Sequence, residues 1–342
     1  MPVYNAEENI TKSIESIINQ SMNLNDIEVI FIDDCSSDNS REIIRKYCDI
    51  YPNFKLVCLD NNIGAAYGPR NIGLEHVTGK FTMFLDSDDC FHPNACKILY
   101  DTINCDEDVD LVFARYCRIY PAENIKLKGY SPYNDSIAKY EDDITSGAQF
   151  KGTYKYLWKY ILRKFIYGDT INILNSKIVI KDITKQKEIF KILPSIWTKI
   201  YRTSFIKKYD LKFPSFISGE DLNFVVESYF LSRKIVFLNE EIIHDYYMRD
   251  MSITKNITYP MVYDSLDSYY HACKICKKYN FKETNILLNP FLLNWIILYK
   301  QTHLIKDEKN KLYDLVQKMG KMFNNNLISR FLIIFIKLML KI

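Results

Sequence analysis

An excess of charge of either sign is missing from this chain: its 342 residues carry a net charge of only +3. A balance that even gives no reason to expect nucleic acid as a partner. Clustered cysteines are missing too. The nine cysteines are scattered, and the one close pair, Cys273 and Cys276, has no second pair to complete a zinc site. Within an amphipathic helix pattern that spacing reads as two helix-face residues. Free thiols in this number fit a reducing cytoplasm. No signal peptide is visible, and no true transmembrane hairpin can be drawn. What remains is a chain too long for one small domain, of a length that suits a catalytic domain plus an extension.

The most informative stretch is Phe84-Leu85-Asp86-Ser87-Asp88-Asp89, where an apolar run from Phe81 to Leu85 ends in three carboxylates. The run reads as a short buried strand. Its end holds like charges that repel one another unless a cation neutralises them. Hard divalent ions take carboxylate oxygens and leave positions for substrate phosphate. The competing reading is an acidic loop that caps the next helix.

The same punctuation recurs upstream. Ile27 to Ile32 is apolar and ends in Asp33-Asp34, followed by a helical pattern with Ile43, Ile44 and Tyr47 on one face and Ser37 or Asp38 as its N-cap. Lys55 to Leu59 reads as a third strand, Asn61 to Gly64 as a turn, and Arg70-Asn71-Ile72-Gly73 as part of a helix that Pro69 opens. Strands alternate with helices and the polar residues sit at strand ends. This is the pattern of a doubly wound α/β sheet with a nucleotide-sized crevice.

Pro2-Val3-Tyr4-Asn5 with Glu7, Asp33-Asp34-x-Ser36-x-Asp38, Asn62-x-Gly64, Arg70-Asn71-x-Gly73 and Asp86-x-Asp88-Asp89 stand in one order and spacing. Trp197-x-Lys199-x-Tyr201-Arg202, Gly219-Glu220-Asp221 and Tyr247-x-Arg249-x-x-Ser252-x-Thr254 follow. Together these resemble the bacterial family 2 glycosyltransferases of the GT-A fold, over about residues 1–255. The resemblance implies a Rossmann-like catalytic domain over 1–255, with 118–195 as a variable acceptor region, and a helical C-terminal extension over 256–342. It also implies that the first strand is missing, because the family has an apolar strand directly before the segment that begins at Pro2.

The resemblance implies roles as well. Asp86 and Asp88 correspond to the family's pair for Mn²⁺ or Mg²⁺. Asp34, with Asp33 beside it, falls on the position that hydrogen-bonds uracil, and a carboxylate suits the uracil N3–H that cytosine lacks. Pro2, Tyr4, Glu7 and Ser87 are expected around the donor. Arg70 is expected to neutralise phosphate or support the base pocket, unless it is a surface ion pair of its own helix. Asp221 falls on the catalytic base, with Glu220 orienting the acceptor or the base. Without that context both read as acidic residues of a first helical turn, which the macrodipole favours. Trp197 is either a sugar platform or core beneath the acceptor site. Lys199 is expected to contact phosphate or lock a loop. Arg249 and Ser252 resemble a segment that closes over the diphosphate. His244 reads as structural.

The implied activity is inverting, metal-dependent transfer from a nucleotide sugar, UDP-linked, to a saccharide or lipid-linked acceptor in bacterial surface polysaccharide or glycoconjugate synthesis. Two alternatives stay open: transfer to polyprenyl phosphate, and an inactive, N-terminally truncated sugar-nucleotide binder. Residues 327–342 place Arg330, Lys337 and Lys341 on one stripe of an apolar helix. Such a helix lies in a membrane interface, or docks on the protein or on a second subunit. A cytoplasmic enzyme, peripheral at the inner membrane face or homodimeric, is the expectation.

Overall fold

In the computed structural model, the described residues are 1–120, 125–129, 176–191, 195–247, 257–284, 299, 302, 304–322, 333, 334, 336 and 337. The chain divides into two compact units. The first holds Met1–Gly129, Ile173–Ile183 and Pro194–Asp250; the second holds Tyr130–Asn172, Thr184–Leu193 and Met251–Ile342.

The first unit opens with β1 (Pro2–Val3), α1 (Ile10–Ile18), β2 (Val29–Asp33), α2 (Ser40–Ile50), β3 (Phe54–Cys58), α3 (Tyr67–His76) and β4 (Phe81–Met83). It continues through β5 (Cys90–Phe91), α4 (Ala95–Asn104), β6 (Leu111–Tyr120), β7 (Ile125–Gly129) and β8 (Lys177–Ile180). Then come β9 (Lys199–Arg202), α5 (Thr203–Lys208), α6 (Glu220–Leu231) and β10 (Ile235–Tyr247). Strands β1, β2 and β3 form a parallel three-stranded sheet, with Pro2 opposite Ile32 and Val29 opposite Phe54. Every residue of β2 is buried, as a parallel strand covered on both faces requires.

A seven-stranded mixed sheet runs β4-β9-β6-β10-β5, with β7 added to β6 and β8 to β10. Strand β10 is long enough to serve two neighbours in turn: Ile235–Leu238 pairs with β8, and His244 and Asp245 pair with β5. Packing of α1 and α4 against the sheets puts Ile10, Ile14, Leu99 and Ile103 into one core with Phe31, Val112 and Ile243.

The shortness of β1 leaves a mark. The Met1 amine donates to Ile30 O at 2.8 Å, and Ile32 N donates to Met1 O, so among the described residues Met1 to Val3 is what pairs with β2 on that side. Burial pushes the Met1 amine down to about 5. Beside it lies a cavity of about 460 Å³, lined by Met1, Glu28, Ile30, Arg70, Lys80 and Met83, among others. The first strand of the described fold is the two-residue β1.

In the second unit, α7 (Tyr259–Lys278) buries Val262, Leu266, Cys273 and Cys276, and α8 (Lys306–Met322) buries Leu312, Leu315 and Met319. Both cysteines are thus helix-face core residues. Ile333 and Ile336 are buried, and Lys337 Nζ donates to Gln317 Oε1 of α8 at 2.7 Å. Most of the expected helix over 327–342 lies outside the described residues.

Candidate active site

Two polar centres stand at the ends of these strands. The first is a loop knot after β2. Asn5 takes a positive φ of 46°, which folds the chain after β1 back towards residues 36–40. Asn5 N donates to Ser36 Oγ at 3.0 Å and Ala6 N to Ser40 Oγ at 2.7 Å. The Glu7 carboxylate accepts from Asn39 N and Nδ2, while Asp38 accepts from Glu7 N and from Ser40 N at the start of α2. These bonds hold the post-β1 segment and the α2 terminus as one block. Asp33 is fully buried, accepting from Ser36 N and from Arg41 Nε. Asp34 is also buried. Its two oxygens accept Ile63 N at 2.8 Å and Gly64 N at 3.0 Å, so it sets the Asn62–Gly64 turn. Each carboxylate oxygen retains a further lone pair. Tyr4 is half exposed, and Pro2 lies in β1 beside β2.

The second centre is built on Arg70, 5% exposed on α3. Its Nη2 donates to Asp86 Oδ1 at 2.8 Å, and its Nη1 donates to Glu220 Oε1 at 2.8 Å and Asp221 Oδ1 at 2.7 Å. One guanidinium therefore joins the carboxylate at the end of β4 to the two that open α6. Gly219 supplies the geometry, since its φ of +92° turns the chain into α6 at a cost only glycine escapes. The loop before it is fixed by Asn71, whose side chain donates to Phe213 O and accepts from Phe213 N, both at 2.8 Å. The second oxygen of Asp221 accepts Ile196 N at 3.1 Å. Burial raises the carboxyls of Glu220 and Asp221 above the usual range, and their proximity to each other and to Asp86 adds to it, against the pull of Arg70.

Asp86, Ser87 and Asp88 are half-buried, and Ser13 Oγ donates to Ser87 O at 2.9 Å. Asp89 points elsewhere. It is fully buried and accepts from Tyr247 N while pairing with His244 Nε2, both at 3.0 Å. Trp197, 6% exposed, stacks on His244 at 4.3 Å and on Tyr246 at 5.6 Å. The Trp197 ring is buried in this arrangement, with two protein rings stacked on it. Lys199 on β9 is fully buried and donates to Ser195 O and Thr198 Oγ1.

Of the residues singled out by sequence, the fold brings Arg70, Asp86, Glu220 and Asp221 into one cluster. Asp33, Asp34 and Glu7 form the separate knot. Arg249 and Ser252 lie outside the described residues. One member had no signal to find it by, and another stood in a quoted motif without its partner. The Ile196 contact is a backbone amide, which carries no residue signature. The Asn71 clamp becomes visible only once Phe213 is beside α3.

Among the described residues no group of three or more carboxylates, histidines or cysteines is placed to hold a metal ion by itself. Asp86 and Asp88 are half-buried at a strand end, and their carboxylate oxygens are of the hard type that Mg²⁺ and Mn²⁺ take.

A doubly wound sheet with acidic loops after β2 and β4 is the GT-A architecture. The crystal structure of S. aureus TarS 1-349 in complex with UDP-GlcNAc is similar to this chain, with a TM-score of 0.60 at 21% identity over 99% of this chain and 88% of that one. The mannosyltransferase PcManGT from Pyrobaculum calidifontis, in complex with GDP-Man and Mn²⁺, has the same fold at a TM-score of 0.53 and 12% identity, over 100% of this chain and 86% of that one. In sequence, the poly(ribitol-phosphate) beta-N-acetylglucosaminyltransferase TarS of Staphylococcus aureus is 28% identical over 242 residues, 70% of this chain and 34% of TarS. The chain thus spans about a third of that relative's length. The profile described as glycosyl transferase family 2 matches residues 1–164. Over those residues, just under half of the chain, the sequence is that of a family 2 glycosyltransferase.

Proposed function

We propose that the chain transfers a sugar from a nucleotide diphosphate donor, UDP-linked, to an acceptor hydroxyl of a bacterial cell-surface polymer, with inversion at the anomeric carbon. The observation that carries this reading is Arg70, which ties Asp86 to Glu220 and Asp221. A donor-side carboxylate and an acceptor-side pair are thereby no farther apart than one guanidinium allows. A single sugar would reach both.

Asp221 serves as the base. It takes the acceptor proton as the hydroxyl oxygen attacks the anomeric carbon, and the bond to the diphosphate breaks with its electron pair leaving on phosphate. A base of this kind contributes about 10²–10⁴-fold. Arg70 and the Ile196 amide each occupy one of its oxygens, which fixes the carboxylate while leaving a lone pair for the proton. Glu220 orients the acceptor. Asp86 and Asp88 would hold Mn²⁺ or Mg²⁺, which when bound supplies positive charge to the leaving diphosphate. Asp34 and the Asn62–Gly64 turn form the floor of the uracil pocket, with Tyr4 against the base.

Donor chemistry is assigned to residues 1–255, acceptor recognition to 118–195, and a supporting role to 256–342. The names of the curated relatives favour a poly(ribitol phosphate) acceptor. Among the described residues no helix is long and apolar enough to cross a membrane, so any membrane contact is assigned to the basic stripe of 327–342. The alternative reading is a sugar-nucleotide binder without turnover. Release of UDP from UDP-GlcNAc with and without poly(ribitol phosphate) separates the two. Acceptor-dependent release supports the transferase, and UDP binding with no release in either case supports the binder.

A further inference from the structure

Lys199 has no assigned task in the chemistry above, and its environment makes it an expensive residue. Its side chain is fully buried on β9, above the Phe113 ring at 5.3 Å. Its two hydrogen-bond partners, Ser195 O and Thr198 Oγ1, are neutral oxygens. An ammonium in such a place is costly to desolvate, and burial pushes Lys199 down to about 7, with Asp221 as the one charge opposing that drop. A methionine would fill the same volume without this cost. What the ammonium adds is local and directional. It ties the Ser195–Thr198 turn, all four residues of which are buried, back onto the strand that follows it. Ser195 Oγ and Thr198 Oγ1 lie 3.4 Å apart across the same turn, and Thr198 O accepts from Ala114 N of β6. Within the turn, the Ile196 amide faces out of this lattice and donates to Asp221 Oδ2 at 3.1 Å.

We propose that Lys199 is a positioning residue for the transfer reaction, holding the Ser195–Thr198 turn so that the Ile196 N–H fixes the Asp221 carboxylate towards the acceptor. This rests on the reading of Asp221 as base. Donor binding does not pass through the turn, so its loss falls on the chemical step. A displacement of a base by about 1 Å is enough to cost on the order of 100-fold.

The test uses the full chain with UDP-GlcNAc and poly(ribitol phosphate), and compares Lys199→Met with Asp221→Asn. Lys199→Met is expected to lower kcat by about 10- to 100-fold, with the donor KM within about twofold and a Tm no lower than that of the unmodified protein. Exchange of the Ile196 amide with deuterium, which needs no substrate, is expected to accelerate at least about tenfold as its acceptor loses its set position. Lys199→Arg, which keeps the charge and the donors, is expected to recover part of the rate. An unchanged kcat in Lys199→Met beside an inactive Asp221→Asn would overturn the proposal and leave the base in place. Full activity in Asp221→Asn would overturn the base reading itself, and the proposal with it. Unaltered exchange at Ile196, or a rate loss matched by a fall in Tm, would assign Lys199 to packing alone and overturn the proposal.

Discussion

Replacing Arg70 with methionine removes the one cation shared by Asp86, Glu220 and Asp221. The guanidinium is 5% exposed, and three of its hydrogen bonds go to those carboxylates at 2.7–2.8 Å. Breaking a buried ion cluster from one side costs about 3–5 kcal/mol, because the remaining charges stay desolvated and unpaired. For a domain of this size each kcal/mol lowers Tm by about 2–4 °C, so a fall of ~6–20 °C is expected at neutral pH. The pH dependence gives a second handle. Glu220 and Asp221 already titrate above the usual carboxyl range in the folded protein, and losing Arg70 raises them further. A group whose folded pKa is raised contributes stability that is present in acid and lost as pH rises through the folded value. The deficit of Arg70→Met should therefore be largest at pH 8 and shrink towards pH 5. Differential scanning calorimetry of both proteins across that range checks it. A Tm within about 2 °C of the unmodified protein at every pH would mean that water, not Arg70, satisfies these carboxylates, and the argument for a single shared centre would fail.

Asp34→Ala should weaken uridine nucleotide binding by about 1–3 kcal/mol in calorimetry. If the unmodified protein binds GDP or CDP as well as UDP, the base pocket is misassigned. Asp88→Asn should abolish transfer while moving Tm by no more than about 2 °C, and excess chelator should stop turnover until Mn²⁺ or Mg²⁺ is restored. Full activity in chelator refutes the ion's role. Deleting residues 327–342 should release the protein from anionic vesicles at low salt, since Arg330, Lys337 and Lys341 each add about 1 kcal/mol near such a surface. An intact chain that does not sediment with those vesicles would leave the helix docked through Ile333 and Ile336.

The parts of the fold that could be read from sequence are those where an apolar run meets a polar stop. The run from Ile27 to Ile32 appears as β2 over Val29–Asp33, and Phe81 to Leu85 as β4 over Phe81–Met83, each followed by its acidic loop. Burial on both faces makes β2 apolar up to its final Asp33, whereas β4 is partly exposed and carries Thr82 at its centre. The α6 helix begins at Glu220 with Asp221 in its first turn, because Gly219 completes the turn into it. Strands β5, β7 and β8 are short edge pairings with no alternation long enough to register. The chemistry of the site was legible as a set of carboxylates but not as their partners. Arg41 on Asp33, the 63–64 amides on Asp34 and Arg70 on three acids are contacts across 8 to 151 positions of sequence. Trp197 shows the same limit. Its residue type fits a sugar platform and a core residue equally, and what favours the core reading is its burial against His244 and Tyr246, which the sequence does not show.

The central claim is that Asp221 carries the proton in a transfer whose donor is held elsewhere, by Asp34, Asp86 and Asp88. The measurement closest to it is a pair of experiments on Asp221→Asn: calorimetric UDP affinity, and single-turnover transfer from UDP-GlcNAc to poly(ribitol phosphate). A base acts on the acceptor and not on the diphosphate, so the expected result is a UDP Kd within about threefold of the unmodified protein, below roughly 0.7 kcal/mol, together with loss of transfer by at least about 10²-fold. Transfer at the unmodified rate would show that Asp221 only starts a helix. Loss of UDP binding in step with loss of transfer would place it in the donor site instead.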